Sequence, residues 1–406
     1  MPLTEAPLLR RVLSSAGCAL LLAACSSGAH ASRGTTQPST VPPTTGAVSS
    51  TTASTSTSTT APVGPAGGPV PAGFQPQSVT FVSLSTGWLL GTAPCSRPPC
   101  TSVVRTRDGG HRWQGVPGPP AALAADPVSG AGVSELRFAD ASNGWAFGPD
   151  LYSTHDGGGH WQRETLPAPG AGYAAVSLEA SGGVVFALAV PRSGQTGPAV
   201  LFRQPVAGGG WSAEPGATVP GGQRGRVVLQ GAAGWLAVVT SQGATAFLSR
   251  QADGWQRRSL PCPMPTEALS ASSTTDLVVV CGGAGAAGSQ EKDVYVSHDA
   301  GSTFGLAGHA PLAGDLEDVA FGSPTTIVIA AASGASVLHG SFDGGRTWST
   351  VAQEASGGLP WRDLGFTDPT HAEVILGTAA SQFAGQPPSQ LLMSSDGGHT
   401  WAALSI

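Results

Sequence analysis

The sequence predicts an all-β fold, a seven-bladed β-propeller built from four-stranded antiparallel blades. The first observation is composition: 406 residues include 58 Gly and 34 Pro, and only 11% are charged. Such a composition is typical of many short strands joined by tight turns. The second observation is a turn motif that recurs along the chain, and the third is the even spacing of the aromatic residues that end it.

The recurrent turn consists of a hydroxyl residue, any residue, Asp, a small residue, Gly, two further residues and an aromatic residue. Five segments carry it: TRDGGHRW (106–113), THDGGGHW (154–161), SHDAGSTF (297–304), SFDGGRTW (341–348) and SSDGGHTW (394–401). Two weaker copies are a Gly-rich turn before Trp211 and ADGW (252–255). The closing aromatic residues at 113, 161, 211, 255, 304, 348 and 401 are 44 to 53 residues apart. That spacing matches a four-stranded blade, so seven aromatic residues predict seven blades.

Two apolar strands joined by a polar turn precede the recurrent turn in several of the periods. The clearest examples are VTFVSLSTGWLLG (79–91) and LRFADASNGWAFG (136–148), and similar patterns occur at 227–239, 319–331 and 364–377. Each period therefore predicts strand A, a turn, strand B, a loop, strand C, the recurrent turn and strand D.

The chemistry of the recurrent turn explains its sequence without any catalytic role. A short carboxylate accepts N–H groups of the following turn residues, and the second Gly supplies a positive φ. The closing ring then packs beneath the turn. We therefore interpret five aspartates as structural: Asp108, Asp156, Asp299, Asp343 and Asp396.

The first 24 residues have the pattern of an export signal. Arg10 and Arg11 precede a short apolar stretch, which is too short to span a membrane as a helix. It ends in Leu22-Ala23-Ala24-Cys25, which resembles the lipobox of bacterial lipoproteins. The resemblance implies that Cys25 is lipidated and becomes the first residue, with ordinary secretion as the alternative.

The predicted organisation has three parts. Residues 1–24 are a lipoprotein signal peptide, 25–73 comprise the lipidated Cys25 and a disordered Ser/Thr/Pro-rich tether, and 74–406 form the propeller. A lipid anchor places the protein in the cell envelope, on the outer face of the cytoplasmic membrane.

Four cysteines fall in the predicted propeller: Cys95, Cys100, Cys262 and Cys281. An even number in an exported protein favours disulfides. Proximity suggests Cys95–Cys100 and Cys262–Cys281, although three connectivities are possible. The spacing is not that of a zinc site, and we expect no metal and no cofactor. A net charge of −6 with a single Lys excludes a basic nucleic-acid surface.

The recurrent turn resembles the Asp-box of the BNR, or sialidase-type, repeat families. FADASNGW (138–145) followed by THDGGGHW (154–161) is similar to the repeat of photosystem II assembly/stability-factor propellers. The resemblance implies a functional face opposite the Asp-boxes, formed by B–C loops and by connections between blades. Six residues on these segments are candidate binding residues: Trp361, Arg362, Asp363, Arg97, Arg192 and Arg224.

We expect a monomeric, non-catalytic lipoprotein that binds or scaffolds a protein or glycan partner through this loop face, and we assign no catalytic residue. The alternative is an extracellular glycoside hydrolase of sialidase-like type. Resemblance to sialidases implies three Arg that bind one carboxylate, a Tyr nucleophile with a Glu partner, and an Asp that acts as acid/base. FRQP (202–205) looks similar to their arginine motif. That motif precedes the first Asp-box, however, whereas FRQP falls in strand C or the weak turn of the third blade. Tyr152 and Tyr295 occupy equivalent strand positions, and Tyr173 has no obvious partner.

Overall fold

The computed structural model describes residues 65–266, 268–355, 357–379 and 387–406. These residues form 28 strands in seven four-stranded antiparallel sheets, which confirms the predicted all-β, seven-bladed propeller. The same residues include no helix long and apolar enough to span a membrane. The predicted signal peptide and Cys25 lie outside the described residues.

Each blade consists of four consecutive strands, and the first strand of each blade lies innermost. Blade 1 contains β1 (Gln75–Phe81), β2 (Gly87–Thr92), β3 (Thr101–Thr106) and β4 (Trp113–Val116). Blade 2 contains β5 (Glu135–Phe138), β6 (Gly144–Phe147), β7 (Leu151–Thr154) and β8 (Gln162–Arg163). Blade 3 contains β9 (Ala174–Ser181), β10 (Val184–Val190), β11 (Ala199–Pro205) and β12 (Ser212–Val219). Blade 4 contains β13 (Gly222–Gln230), β14 (Ala233–Thr240), β15 (Thr245–Gln251) and β16 (Gly254–Arg258).

The remaining three blades follow the same order. Blade 5 contains β17 (Leu269–Ala271), β18 (Leu277–Ala286), β19 (Ser289–Ser297) and β20 (Gly305–His309). Blade 6 contains β21 (Asp315–Ser323), β22 (Thr326–Ser333), β23 (Ala335–Ser341) and β24 (Ser349–Glu354). Blade 7 contains β25 (Trp361–Phe366), β26 (Ala372–Leu376), β27 (Gln390–Ser394) and β28 (Ala402–Leu404). The aromatic residues used to count blades stand in or directly before the outermost strands.

Each of the five aspartates of the recurrent turn closes a hairpin between the third and fourth strands, here called an aspartate hairpin. In blade 6, Asp343 Oδ1 accepts the Thr347 N–H at 2.9 Å, and Oδ2 accepts the Thr347 hydroxyl at 2.6 Å. The hydroxyl of Ser341 donates to Asp343 and accepts the N–H of Gly345, whose φ is +94°. The predicted turn chemistry is confirmed, because side-chain oxygens satisfy N–H groups that no strand partner reaches.

Tryptophans of the second strand join neighbouring blades. Trp88 of blade 1 is fully buried and stacks on Phe138 of blade 2 at a centroid distance of 3.8 Å. Its indole N–H donates to the carbonyl of Gly157 in the aspartate hairpin of blade 2. Trp235 of blade 4 donates in the same way to Ala300 in the hairpin of blade 5. A second-strand tryptophan therefore packs against the next blade and also satisfies a turn carbonyl there.

Blade 7 meets blade 1 without exchange of a strand, because both sheets consist of consecutive strands. Asp363 Oδ2 accepts the Ser78 hydroxyl at 2.5 Å and the Val79 N–H at 2.8 Å. The Gln77 side chain accepts the Ala379 N–H, and the Ser389 hydroxyl donates to the carbonyl of Pro76. Bonds between side chains and backbone thus close the ring.

Residues just before blade 1 also contact the propeller. Gly68 and Gly115 exchange two backbone hydrogen bonds on the outer strand of blade 1, at 2.9 and 3.0 Å. The carbonyl of Pro65 accepts a hydrogen bond from the buried Arg105 guanidinium at 2.8 Å. Contacts with the domain therefore begin before residue 74, the boundary predicted from composition.

Both predicted disulfides are present. Cys95–Cys100 closes the B–C loop of blade 1, and Cys262–Cys281 fixes the connection into blade 5 to the strand β18. Links of this kind stabilise a fold largely by restricting the unfolded chain.

Lys292, the single lysine of the chain, is buried in blade 5 with 1% of its surface exposed. Its ammonium lies 3.0 to 3.3 Å from four backbone carbonyls, those of Gln290, Pro311, Leu312 and Ala313. The charge is satisfied by carbonyl dipoles, and the contacts tie β19 to the connection between blades 5 and 6.

We expect Trp88→Phe to lower the free energy of unfolding by about 2 kcal/mol, because a buried carbonyl loses its donor. Trp401→Phe is the control, since the Trp401 N–H donates to Gly398 within its own turn and the ring is only partly buried. Urea unfolding measures both variants. Equal losses would contradict the role given to the bond between blades.

We expect Lys292 to react with an amine-specific acylating reagent at least about tenfold more slowly in the folded protein than in urea. Acylation requires a neutral, accessible amine. Burial lowers the pKa of Lys292 to about 8, so the slow reaction comes from denied access to the buried amine and not from its charge. Mass spectrometry of the digested protein measures the reaction, with a small free amine in the same solution as the control. Fast labelling of the folded protein would contradict the burial.

Candidate binding site at the mouth of the central channel

The innermost strands of the seven blades surround a central channel. The propeller has two faces. The loop face carries the B–C loops and the connections between blades, and the hairpin face carries the aspartate hairpins. A cavity of about 320 Å³ opens at the channel mouth on the loop face, and it is rich in charged side chains.

Three arginines line this mouth, and each is paired with a carboxylate from another blade. Arg137 of blade 2 lies 3.3 Å from Glu179 of blade 3, and Arg362 of blade 7 lies 3.5 Å from Glu135 of blade 2. Arg226 of blade 4 pairs with Asp318 of blade 6. The last two pairs each skip a blade: Arg362 and Glu135 lie on either side of blade 1, and Arg226 and Asp318 on either side of blade 5.

Asp363 and Glu135 form a pair of neighbouring carboxyl groups beside Arg362. Burial raises the pKa of Glu135 well above its usual range, and the negative charge of Asp363 raises it further. Asp363 also accepts hydrogen bonds from the Ser78 hydroxyl and the Val79 N–H.

Two further carboxyl groups beside the channel have raised pKa values. Burial raises the pKa of Glu317 to about 7, although its Oε2 accepts the Trp361 N–H at 2.7 Å. Burial likewise raises the pKa of Glu373 to about 8; this residue lines the end of the channel nearer the hairpin face. Glu373 occupies the strand position that Trp88 occupies in blade 1.

This arrangement favours recognition of a mixed-charge surface over clamping of one anion. Every arginine of the mouth already has a carboxylate partner, so no cluster of unopposed positive charge points into the cavity. A charged group of a ligand would replace one member of an ion pair and bind the other member, which is already held in position.

The sequence candidates divide into two groups. Arg362 and Asp363 lie at the channel mouth as expected. Trp361 borders the same cavity, but only 5% of its surface is exposed, and its indole N–H donates to Ala331 in blade 6. The Trp361 ring is therefore not an exposed stacking surface, because it fills the contact between blades 6 and 7.

The other three candidates lie outside the channel mouth. Arg192 is in the B–C loop of blade 3, where its guanidinium bonds to Asp150 at 2.8 Å and to the carbonyls of Gly130 and Gly172. Through these bonds Arg192 joins the neighbouring loops. It also lines a separate groove of about 370 Å³. Arg97 lies in the exposed disulfide loop of blade 1, and Arg224 lies on β13.

Sequence reasoning missed Arg137 and Glu179, which line the cavities at both ends of the channel. Both occur inside the innermost strands, where neighbouring residues such as Leu136 and Leu178 are buried and apolar. A charged residue within such a strand is the signal that could have identified them, because innermost strands face the channel.

The channel mouth meets only part of the requirements of the sialidase-like alternative. Three arginines and several carboxylates do line one central cavity. However, none of the tyrosines borders it: Tyr173 lines a small pocket beside Asp150, and Tyr152 is buried in blade 2. The arginines are also paired with carboxylates rather than directed at one point.

The fold and site together define a seven-bladed propeller whose channel mouth is filled by ion pairs. No protein-family model and no curated protein matches the sequence. Solved propellers do match. YCF48 bound to D1 peptide is 18% identical with a TM-score of 0.52, and the match covers 80% of this chain and 95% of that chain.

Two other solved structures share the fold. A Mycobacterium tuberculosis puromycin-hydrolyzing peptidase is 15% identical with a TM-score of 0.55, and the match covers 85% of this chain but 55% of the peptidase. The structure of U3-55K is 9% identical with a TM-score of 0.52, and the match covers 79% of this chain and 95% of that chain. Such low identities show the common fold alone.

We expect the protein to lose stability as the pH rises from about 5 to about 9. A carboxyl group whose pKa is raised on folding binds its proton more tightly in the folded state, so its contribution is present below pH 4.5 and lost as the pH passes about 7 for Glu317 and about 8 for Glu373. Glu373→Gln should flatten this decline, whereas the exposed Glu354→Gln should not. Thermal unfolding across this pH range measures the effect, and an unchanged slope in Glu373→Gln would contradict it.

Proposed function

We propose that this protein is a non-catalytic, extracytoplasmic lipoprotein that binds a segment of a protein partner through the loop face of its propeller. The single observation that carries the proposal is the channel mouth, where three ion pairs are held on rigid inner strands. Charged groups fixed in this way recognise a partner with little loss of side-chain freedom.

The comparison with YCF48 supports a protein partner rather than a glycan. YCF48 has the same fold and was solved with a peptide bound. The glycan alternative requires exposed aromatic rings for stacking, and the ring of Trp361 is buried instead. A peptide, in contrast, carries backbone groups and charges that match a mouth lined by arginines and carboxylates.

The same proposal includes the identity of the turns and the location of the protein. We interpret the five aspartate hairpins as Asp-boxes, since their sequences have the pattern of that motif. The Leu22-Ala23-Ala24-Cys25 motif supports lipidation of Cys25 and anchoring on the outer face of the cytoplasmic membrane. The two disulfides are in keeping with an oxidising compartment.

A glycoside hydrolase is the second candidate function, and one observation favours it: Glu135 and Asp363 are neighbouring carboxyl groups beside three arginines. Two neighbouring carboxyl groups, one of them with a raised pKa, are a feature of glycosidase active sites. No tyrosine of the described chain is present to act as a nucleophile there.

We expect a photo-crosslinking residue at Gln223, on the loop face, to give a discrete protein adduct in cells that express the protein. The same residue at Asp253, on the hairpin face, is the control and should give none. Arg362→Ala should weaken the Gln223 adduct about tenfold, because one ion pair of the mouth is lost. Equal adducts from both faces would contradict the proposal.

Fluorogenic sialosides and aryl glycosides test the second candidate. We expect no turnover above the uncatalysed rate. Turnover that disappears in both Glu135→Gln and Asp363→Asn, while both variants keep the native unfolding midpoint, would replace the binding function with hydrolysis.

A further inference from the structure

A long hairpin in the B–C loop of blade 5 extends the strands β18 and β19 beyond the rest of the sheet. Its outer part pairs Gly282 with Lys292, Gly285 with Gln290 and Ala286 with Ser289. Ala287 and Gly288 form the tip with φ values of +50° and +83°, a two-residue turn. The segment Ala284–Ala287 is exposed to solvent.

The two edges of this hairpin differ. On the β19 side, the Gln290 N–H donates to the carbonyl of Leu312, and Ser289 bridges to Gly314, so the connection between blades 5 and 6 covers the edge. On the β18 side, β17 reaches only Val279. Among the described residues, no strand pairs with the outer edge of Gly282–Ala286.

The open edge lacks the features by which proteins usually protect exposed strands. It reads Gly-Gly-Ala-Gly-Ala, with no charged residue and no proline. Its side chains are hydrogens and methyl groups, so another backbone can approach to the spacing of a β-ladder without steric conflict.

The hairpin is also held firmly at its base. The Cys262–Cys281 disulfide lies one residue before Gly282, and the caged ammonium of Lys292 joins the opposite strand to the neighbouring connection. A strand edge fixed before binding loses little conformational freedom when a partner strand is added.

An acidic side chain lies beside the edge. The Glu291 side chain lies over Gly283, where a hydrogen replaces a side chain, and Asp315 is exposed on the connection that covers the opposite edge of the hairpin. The only basic side chain in 277–297 and 305–316 other than histidine is the buried Lys292. A second copy of the chain would place like charges together, whereas a basic segment would be attracted.

We propose that the outer edge of Gly282–Ala286 docks an extended, basic segment of a partner protein by β-strand addition. Backbone hydrogen bonds to the open edge supply affinity, and Glu291, whose side chain lies over Gly283, selects basic side chains. This inference rests on the proposed function, in that the partner is a protein bound at the loop face, and it specifies the conformation and charge of the bound segment.

The probe is a fluorescent ten-residue peptide of alternating Thr and Arg, titrated into the full protein and measured by fluorescence anisotropy. We expect saturable binding below about 1 mM, and at least about tenfold weaker binding of the alternating Thr-Glu peptide. A Thr-Arg peptide N-methylated at four consecutive central residues, which blocks both strand edges, should bind at least about tenfold more weakly. Absence of binding by the Thr-Arg peptide, or equal binding of the methylated peptide, would overturn the inference.

Two variants of the protein complete the test. In an antiparallel ladder closed at Ala286 and Ser289, the Gly285 N–H points away from β19, so Gly285→Pro removes an outward donor and keeps the hairpin. We expect about tenfold weaker peptide binding at an unchanged unfolding midpoint. Glu291→Gln should weaken binding several-fold, whereas the exposed Glu354→Gln on the outer strand of blade 6 should not. Unchanged affinity in well-folded Gly285→Pro would overturn the docking mode.

The failure of this inference differs from the failure of the proposed function. If the Gln223 adduct forms equally in the Gly285→Pro background, the protein binds a partner at its loop face but not through this edge. If Gln223 gives no adduct while the Thr-Arg peptide binds as expected, the edge is a strand acceptor and the proposed partner function fails.

Discussion

The propeller depends on satisfying the inner-strand N–H groups that face a neighbouring blade. A blade has no strand partner on its channel side, so side-chain oxygens of the adjacent blade serve instead. Ser78 accepts the N–H of Leu136, Ser177 accepts that of Val227, and Ser270 accepts that of Phe321. Asp363 accepts the N–H of Val79 at the last junction. Short hydroxyl and carboxyl side chains on inner strands are thus a requirement of ring closure.

The same geometry explains why the channel is charged. The innermost strands of the seven blades surround the channel, so side chains from different blades meet there. Arginine and glutamate reach across it, and each buried charge requires a partner there. Asp363 takes part in both arrangements, because it closes the ring through Ser78 and neighbours Glu135 at the channel mouth. A group with this double role links the integrity of the fold to the electrostatics of the site.

The sequence was most informative where a physical requirement repeats in every blade. The spacing of Trp113, Trp161 and their equivalents established the number of blades, because each ring packs at a hairpin whose Gly residues need a positive φ. The site was predicted only in part. Arg362 and Asp363 could be placed on the loop face from their position between blades. The pairing of Arg226 with Asp318, in contrast, depends on the distance between blades 4 and 6, which no local sequence pattern reveals. The burial of Trp361 could not be predicted for the same reason: it is set by blade 6, not by the neighbours of Trp361 in sequence.

The seam between blades 7 and 1 joins two sheets by side-chain contacts alone, so it resembles the other six junctions more than a strand-exchanged closure would. When the junctions between blades are equivalent, the chain can begin at any blade of the ring. Opening the chain between blades 3 and 4 and linking Ile406 to Pro65 would therefore produce a circularly permuted protein with the same seven sheets, since no blade is assembled from distant segments.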